Sequence, residues 1–214
     1  MLSKSYVHGS SSANLLGETL GANFDAAAER WGDREALVVR HQNLRWTYKD
    51  LKKRVDAFAA GLLSLGLETG DRVGIWSQNN SEWVVTQYAT AKVGLILVNI
   101  NPAYRALELE YAINKVGCKA LILSERFKSS NYIEMLKELV PSLTRSHPGE
   151  LGSERLTTLS HVIQIGGKTS SGCFDFTEVI EMASPKSFER LEQVASGLQS
   201  DDPINTQFTS GPTG

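Results

Sequence analysis

The residues with the clearest chemical potential stand together at the carboxyl end of the chain: Thr209, Ser210, Gly211, Pro212, Thr213 and Gly214. They follow Ile204 to Phe208, a run that reads as a strand. A strand that opens into hydroxyls and glycines can line a concave anion site with its backbone N–H groups. The chemistry this offers is phosphate holding, with ATP as the natural candidate. The pattern is not a Walker A loop, because no Gly-Lys-Ser/Thr closes it and begins a helix. By composition alone, an ordinary Ser/Thr/Gly turn is the simpler account of the stretch.

Other chemically capable residues are sparse. His8, His41, His147 and His161 share no metal-ligand spacing, and none is assigned a role. Cys118 and Cys173 form no CxxC pair and read as reduced structural thiols. Trp31, Trp46, Trp76 and Trp83 fall in regular elements and are expected to anchor the core. The Asn101-Pro102-Ala103-Tyr104 turn follows a strand, where open α/β sheets bind ligands, although a purely structural turn explains it more simply. No catalytic residue and no metal ligand is named from the sequence.

With 41% hydrophobic and 21% charged residues, the 214-residue chain has a globular composition. Its length allows one large or two small domains and burial of roughly 70% of the unfolded surface. Twenty-two Lys plus Arg against 24 Asp plus Glu leave a formal charge of −2. No basic stripe stands out, and nucleic acid is not expected as a partner. The apolar run Val93 to Val98 is far too short to span a membrane, and a soluble protein is expected.

The elements that must position the terminal loop alternate along the chain. Leu20, Phe24, Ala27, Ala28 and Trp31 recur at helical spacing. Ala36–Val39 and Leu44–Thr47 read as a small antiparallel hairpin around His41-Gln42-Asn43. Thr47 then caps a long helix bearing Leu51, Val55, Phe58, Ala59, Leu62 and Leu65, closed by Gly66. Val73–Trp76 is a strand, Ser81 caps the next helix, and Leu95–Val98 is again a strand. Leu107, Tyr111, Ile113 and Val116 mark a helix, Ala120–Leu123 a strand, Tyr132–Val140 a helix and His161–Ile165 a strand. A helix carries Phe188, Leu191, Val194 and Ala195 before the final strand. Residues 141–158 and 166–172 read as surface loops. The alternation predicts an α/β fold: a mostly parallel β-sheet with flanking helices, joined by right-handed crossovers, plus the antiparallel hairpin near the N-terminus.

Four stretches carry a likeness to a known family: Arg34-Glu35-Ala36-Leu37-Val38 with its hairpin; Gly66 to Val73; Asn99-Ile100-Asn101-Pro102-Ala103-Tyr104 through Val116 to Leu121; and Asp202-Pro203-Ile204 to Gly214. Together they resemble the amino-terminal part of the adenylate-forming superfamily, specifically a fatty acyl-CoA synthetase. The third stretch and Gln207 to Gly211 look closest to a medium-chain, mitochondrial branch. The resemblance implies a ligase that uses ATP, Mg2+ and CoA to convert a medium-chain fatty acid into its acyl-CoA with release of AMP and pyrophosphate. It places Thr209, Ser210, Gly211, Pro212, Thr213 and Gly214 in the loop that holds the ATP phosphates. The family run is Thr-Ser-Gly-Thr-Thr-Gly followed by Pro-Lys-Gly, so Pro212 stands where a threonine is usual and removes one hydroxyl and one N–H.

The same resemblance implies residues 1–17 as a flexible segment and 18–214 as a partial AMP-binding domain of an adenylate-forming enzyme, cut at the phosphate loop. The family's acyl tunnel, adenine pocket and adenylation lysine belong farther downstream, so the isolated chain is expected to be inactive. An exposed sheet edge is expected too, open to self-association or a partner. The alternative is a non-enzymatic module that binds its partner through that edge. Location in the mitochondrion is implied by resemblance. The first 17 residues hold Lys4 as their one Lys or Arg and make no convincing presequence, which leaves the cytoplasm as the alternative.

Overall fold

The computed structural model describes residues 16–209; positions 1–15 of the expected flexible segment lie outside the described residues. Helix α1 (Leu20–Trp31) begins where the Thr19 hydroxyl accepts the Ala22 N–H, satisfying a donor that the first helical turn cannot. Its buried Phe24 stacks on Tyr88, ring centroids 4.3 Å apart. Strands β1 (Glu35–Val39) and β2 (Leu44–Thr47) form the expected antiparallel hairpin. Helix α2 (Tyr48–Ser64) opens with a capping box in which Thr47 and Asp50 satisfy each other's backbone donors. Its buried face is the predicted one, from Leu51 to Leu62, and Leu65 ends the helix ahead of Gly66.

The main sheet follows: β3 (Arg72–Trp76), α3 (Ser81–Lys92), β4 (Ile96–Asn99), α4 (Ala106–Val116) and β5 (Cys118–Ser124). A two-residue pair, β6 (Arg126–Phe127) and β7 (Ser130–Asn131), leads into α5 (Tyr132–Leu139). Then come β8 (His161–Ile165), β9 (Phe174–Asp175), α6 (Phe176–Glu181), α7 (Pro185–Gly197) and β10 (Asn205–Gln207). The strand order is β10-β4-β3-β5-β8-β9, and every neighbouring pair is parallel. The pairs β6–β7, strand β9 and helix α6 are too short to leave a periodic signal, and the sequence reading missed them.

Both faces of the sheet are covered, as parallel strands require. Val73, Ile75, Ala120, Ile122 and Ile163 point to one core, packed under α1, α2, α3, α6 and α7. Trp76, Val98, Leu121, Leu123 and Val162 point to the other, packed under α4 and α5. Each fully buried aliphatic side chain contributes about 2 kcal/mol relative to exposure. Close approach of α2 to α6 depends on Gly61, where an added Cβ would lie 1.9 Å from the Val179 carbonyl oxygen.

Several local expectations change. Asn80, not Ser81, caps α3, its side chain accepting the Trp83 N–H at 2.8 Å. On α4 the buried stripe is Leu109, Ala112 and Ile113, while Leu107 and Tyr111 are exposed, because the helix rotates its acid-flanked side outward. Loop 141–158 is not wholly superficial: Leu143, Leu151 and Leu156 are buried in the second core. Both thiols are free and buried, and burial pushes Cys118 up to about 12 and Cys173 up to about 11, so neither is a ready nucleophile.

Candidate functional site

The connections of the sheet open a crevice beyond β3 and β4. Strand β3 exits into α3 on the first face, and its neighbour β4 exits into α4 on the second. Adjacent strands whose exit loops part to opposite faces leave a cleft beyond their carboxyl ends, where ligands of open α/β sheets bind. Here that cleft holds about 300 Å3. Ser77 and Asn79 come from the β3 exit, Asn99 to Pro102 from the β4 exit, and Gln207 and Phe208 from β10. Trp83, from the first turn of α3, forms one wall. Among the described residues no charged side chain lines it.

Its floor is rigid. The Tyr132 hydroxyl donates to the Pro102 carbonyl at 2.6 Å and its ring stacks on Trp76, centroids 3.7 Å apart. Burial pushes the Tyr132 phenol up to about 12, so it stays a proton donor across the physiological range. The Asn101 side chain accepts the Ala103 N–H at 2.9 Å and fixes the turn. Ser77 Oγ lies 2.6 Å from Ser124 Oγ and accepts from Asn80 Nδ2 at 2.9 Å, tying the ends of β3 and β5 to the cap of α3.

Three buried polar side-chain atoms lack a hydrogen-bond partner among the described residues: Trp76 Nε1, Gln78 Oε1 and Asn99 Oδ1. All three sit at the carboxyl ends of β3 and β4. Each such atom left without a partner costs about 1–3 kcal/mol, and of the three residues Asn99 lines the crevice. Of the four tryptophans, Trp76 is fully buried, whereas Trp83 is half-buried and faces the crevice. Sequence reasoning assigned neither Trp83 nor Asn99 to a site. The legible signal was the Asn-rich strand exit at Asn99 and Asn101.

Strand β10 pairs with β4 in register Asn205↔Leu97, Thr206↔Val98 and Gln207↔Asn99. It lies at the sheet edge, as expected, and runs toward the crevice. Phe208 lines the cavity and Thr209 follows, exposed. Ser210, Gly211, Pro212, Thr213 and Gly214 lie outside the described residues. A second cavity, about 340 Å3, opens at the amino ends of β4 and β10 beside Leu20, Gly94, Leu198 and Ile204. It is the more apolar of the two, but Phe208 and Thr209 lie at the opposite end of the sheet.

Residues 24–214 match the family described as AMP-binding enzyme. The chain belongs to that family. It is 46% identical over 98% of its length to the medium-chain acyl-CoA ligase ACSF2, mitochondrial, of Bos taurus, and 42% identical over its whole length to the protein of that name from Danio rerio. The chain spans about a third of the length of these relatives, 34% and 35% respectively. Among solved structures, a long-chain-fatty-acid-CoA ligase of Archaeoglobus fulgidus matches 98% of the chain, and the match covers 38% of that ligase, with a TM-score of 0.70 at 23% identity. An anthranilate CoA ligase in complex with anthranoyl-AMP matches 94% of the chain, and the match covers 34% of that ligase, with a TM-score of 0.70 at 19% identity. At such identities these structures speak for the fold alone.

Proposed function

We propose that the chain forms the phosphate-gripping, amino-terminal part of an AMP-forming ligase that joins medium-chain fatty acids to CoA. The observation that supports this is the seat of β10: a strand of the parallel sheet, paired with β4, whose end at Gln207 and Phe208 lines the switch-point crevice. Identity to the relatives named medium-chain acyl-CoA ligase supports the substrate class, and their mitochondrial designation supports the compartment.

In this reading a fatty carboxylate oxygen attacks the α-phosphorus of ATP, the bond to the β-phosphate breaks, and pyrophosphate departs. The CoA thiolate then adds to the acyl carbonyl and AMP leaves. Backbone N–H groups and hydroxyls of Thr209, Ser210, Gly211, Thr213 and Gly214 hold the β- and γ-phosphates while negative charge moves onto the leaving group. Pro212 lies in the loop but offers no donor. Among the described residues no three His, Cys, Asp or Glu side chains converge to hold a metal, and magnesium would arrive with ATP. The uncharged crevice needs cationic groups from elsewhere, and the 214 residues alone turn over negligibly.

Pyrophosphate release with octanoate and Mg-ATP tests the reading. The chain alone stays at the blank, while the chain fused in frame to the remaining two thirds of the bovine relative releases pyrophosphate. Turnover by the chain alone, or a folded but inactive fusion, contradicts it. The rival, a module that captures a partner strand along β10, requires partner binding that survives Ser210→Ala and no ATP response.

A further inference from the structure

The net charge of −2 conceals an uneven distribution, and a basic segment lies where the sequence alone showed no stripe. Residues 29–54 carry eight Lys or Arg against four Asp or Glu, whereas the rest of the chain carries fourteen against twenty. The fold gathers this segment into one corner made of the end of α1, the β1–β2 hairpin and the first turns of α2. Backbone hydrogen bonds from Tyr48 N–H to the Arg34 carbonyl and from Lys49 N–H to the Gly32 carbonyl, 3.0 Å each, hold these pieces together.

Six of the eight cations, Arg30, Arg34, Arg40, Lys49, Lys53 and Arg54, are exposed and make no ion pair among the described residues. Arg45 is bridged to Glu35 at 2.7 Å and Lys52 is held by Asp25 and Asp56. Of the four acids, Glu35 is thus engaged and Asp50 is committed to Thr47, leaving Glu29 and Asp33. Arg30, Arg34 and Lys49 share a shallow depression of about 460 Å3 with those two acids. On the outer face of the hairpin Val38, 43% exposed, stands opposite Arg45.

We propose that this corner is a docking surface for an anionic lipid membrane. Each Lys or Arg brought to such a surface strengthens partitioning by roughly fivefold, so six free cations suffice without a deeply inserted apolar segment. Val38 offers a small apolar contact between them. A nucleic acid fits less well. Base stacking needs open aromatic faces, and here the Arg30 guanidinium lies 5.0 Å over Trp31 and that of Arg54 lies 4.3 Å over Trp46. Docking would hold the chain where fatty acids partition, a consequence that rests on the proposed function; the docking itself does not.

Co-sedimentation of the full chain with vesicles tests the proposal. Binding is expected to equimolar phosphatidylcholine and phosphatidylserine, not to phosphatidylcholine alone. It should vanish as salt shortens the Debye length from about 10 Å at 0.1 M to about 3 Å at 1 M. Arg40→Glu with Lys53→Glu weakens partitioning at least about tenfold at an unchanged melting temperature. Lys186→Glu with Arg190→Glu, the same charge change on exposed α7, leaves it within about twofold. Arg34→Gln with Lys49→Gln gives a smaller loss and does not depend on tolerating charge reversal. Equal losses in the α7 and hairpin variants, salt-insensitive binding, no binding, or tighter hold on a single-stranded oligonucleotide than on vesicles each overturn the proposal.

Discussion

The two ends of helix α3 are built on opposite terms. At its carboxyl end Lys92, 4% exposed, pairs with Asp25 at 2.6 Å and also with Asp56, and Lys52 contacts the same two carboxylates at 2.8 and 2.5 Å. Two cations and two anions from three helices satisfy one another, and α1, α2 and α3 are locked together. At its amino end, about 15 Å away along the helix axis, Trp83 faces the crevice and three buried polar atoms nearby have no partner among the described residues. The helix is thus anchored where it crosses its neighbours and left chemically unfinished where the strands end. Stability and site are separated along one element, which lets the crevice carry unfavourable polar atoms without loosening the fold.

That contrast can be broken most forcefully at the anchored end. Lys92→Met leaves two carboxylates sharing Lys52 and should cost about 3 kcal/mol in urea unfolding, the usual penalty for removing one partner of a buried charge group. The pH dependence follows with a definite sign. Burial raises the Asp25 carboxyl, but hydrogen bonds from Lys52 and Lys92 outweigh it and hold its pKa below the ordinary value. A carboxylate depressed in the folded state contributes stability above its unfolded pKa, about 3.9, and loses it as the pH falls through the folded value. Unfolding measured between neutral and acid pH should therefore show a steep acid loss in the native chain and a shallower one in Lys92→Met.

The crevice end gives smaller effects of another kind. In the fusion described above, Pro212→Thr returns an N–H and a hydroxyl to the phosphate loop and should raise the rate of pyrophosphate release at least about tenfold. Asn99→Leu removes an orphaned acceptor. In contrast to Lys92→Met it should leave the chain unchanged or up to about 1 kcal/mol more stable, while lowering any nucleotide affinity. A loss above about 2 kcal/mol there would mean that Asn99 is structural, and the contrast between the helix ends would fail.

Much of the fold was legible because the central strands β3, β5 and β8 are largely apolar on both faces and the helices carry clean caps, as Thr47 with Asp50 shows. The predicted stripe on α4 held at Ile113 and Val116 but failed at Leu107 and Tyr111, which look like core residues by type; only tertiary packing decides that Leu109 goes inward in their place. Loop 141–158 misled in the other direction, its Pro, Ser and Gly masking leucines spaced too irregularly to show a period. The crevice itself was half legible. The strand exits and the terminal stretch are local features, but the meeting of Trp83, Asn99 and Phe208 depends on a strand order that no local pattern contains.

The central claim is that nucleotide phosphates are gripped at the carboxyl end of the sheet, beside β4 and β10. Backbone amide chemical shifts of the chain during titration with Mg-ATP test it directly. The account predicts weak, saturable shifts gathered at Asn99, Asn101, Phe208 and Thr209, with Leu20, Leu198 and Ile204 at the other end unmoved. Shifts confined to the amino-end cavity, or none through millimolar ATP, would contradict it.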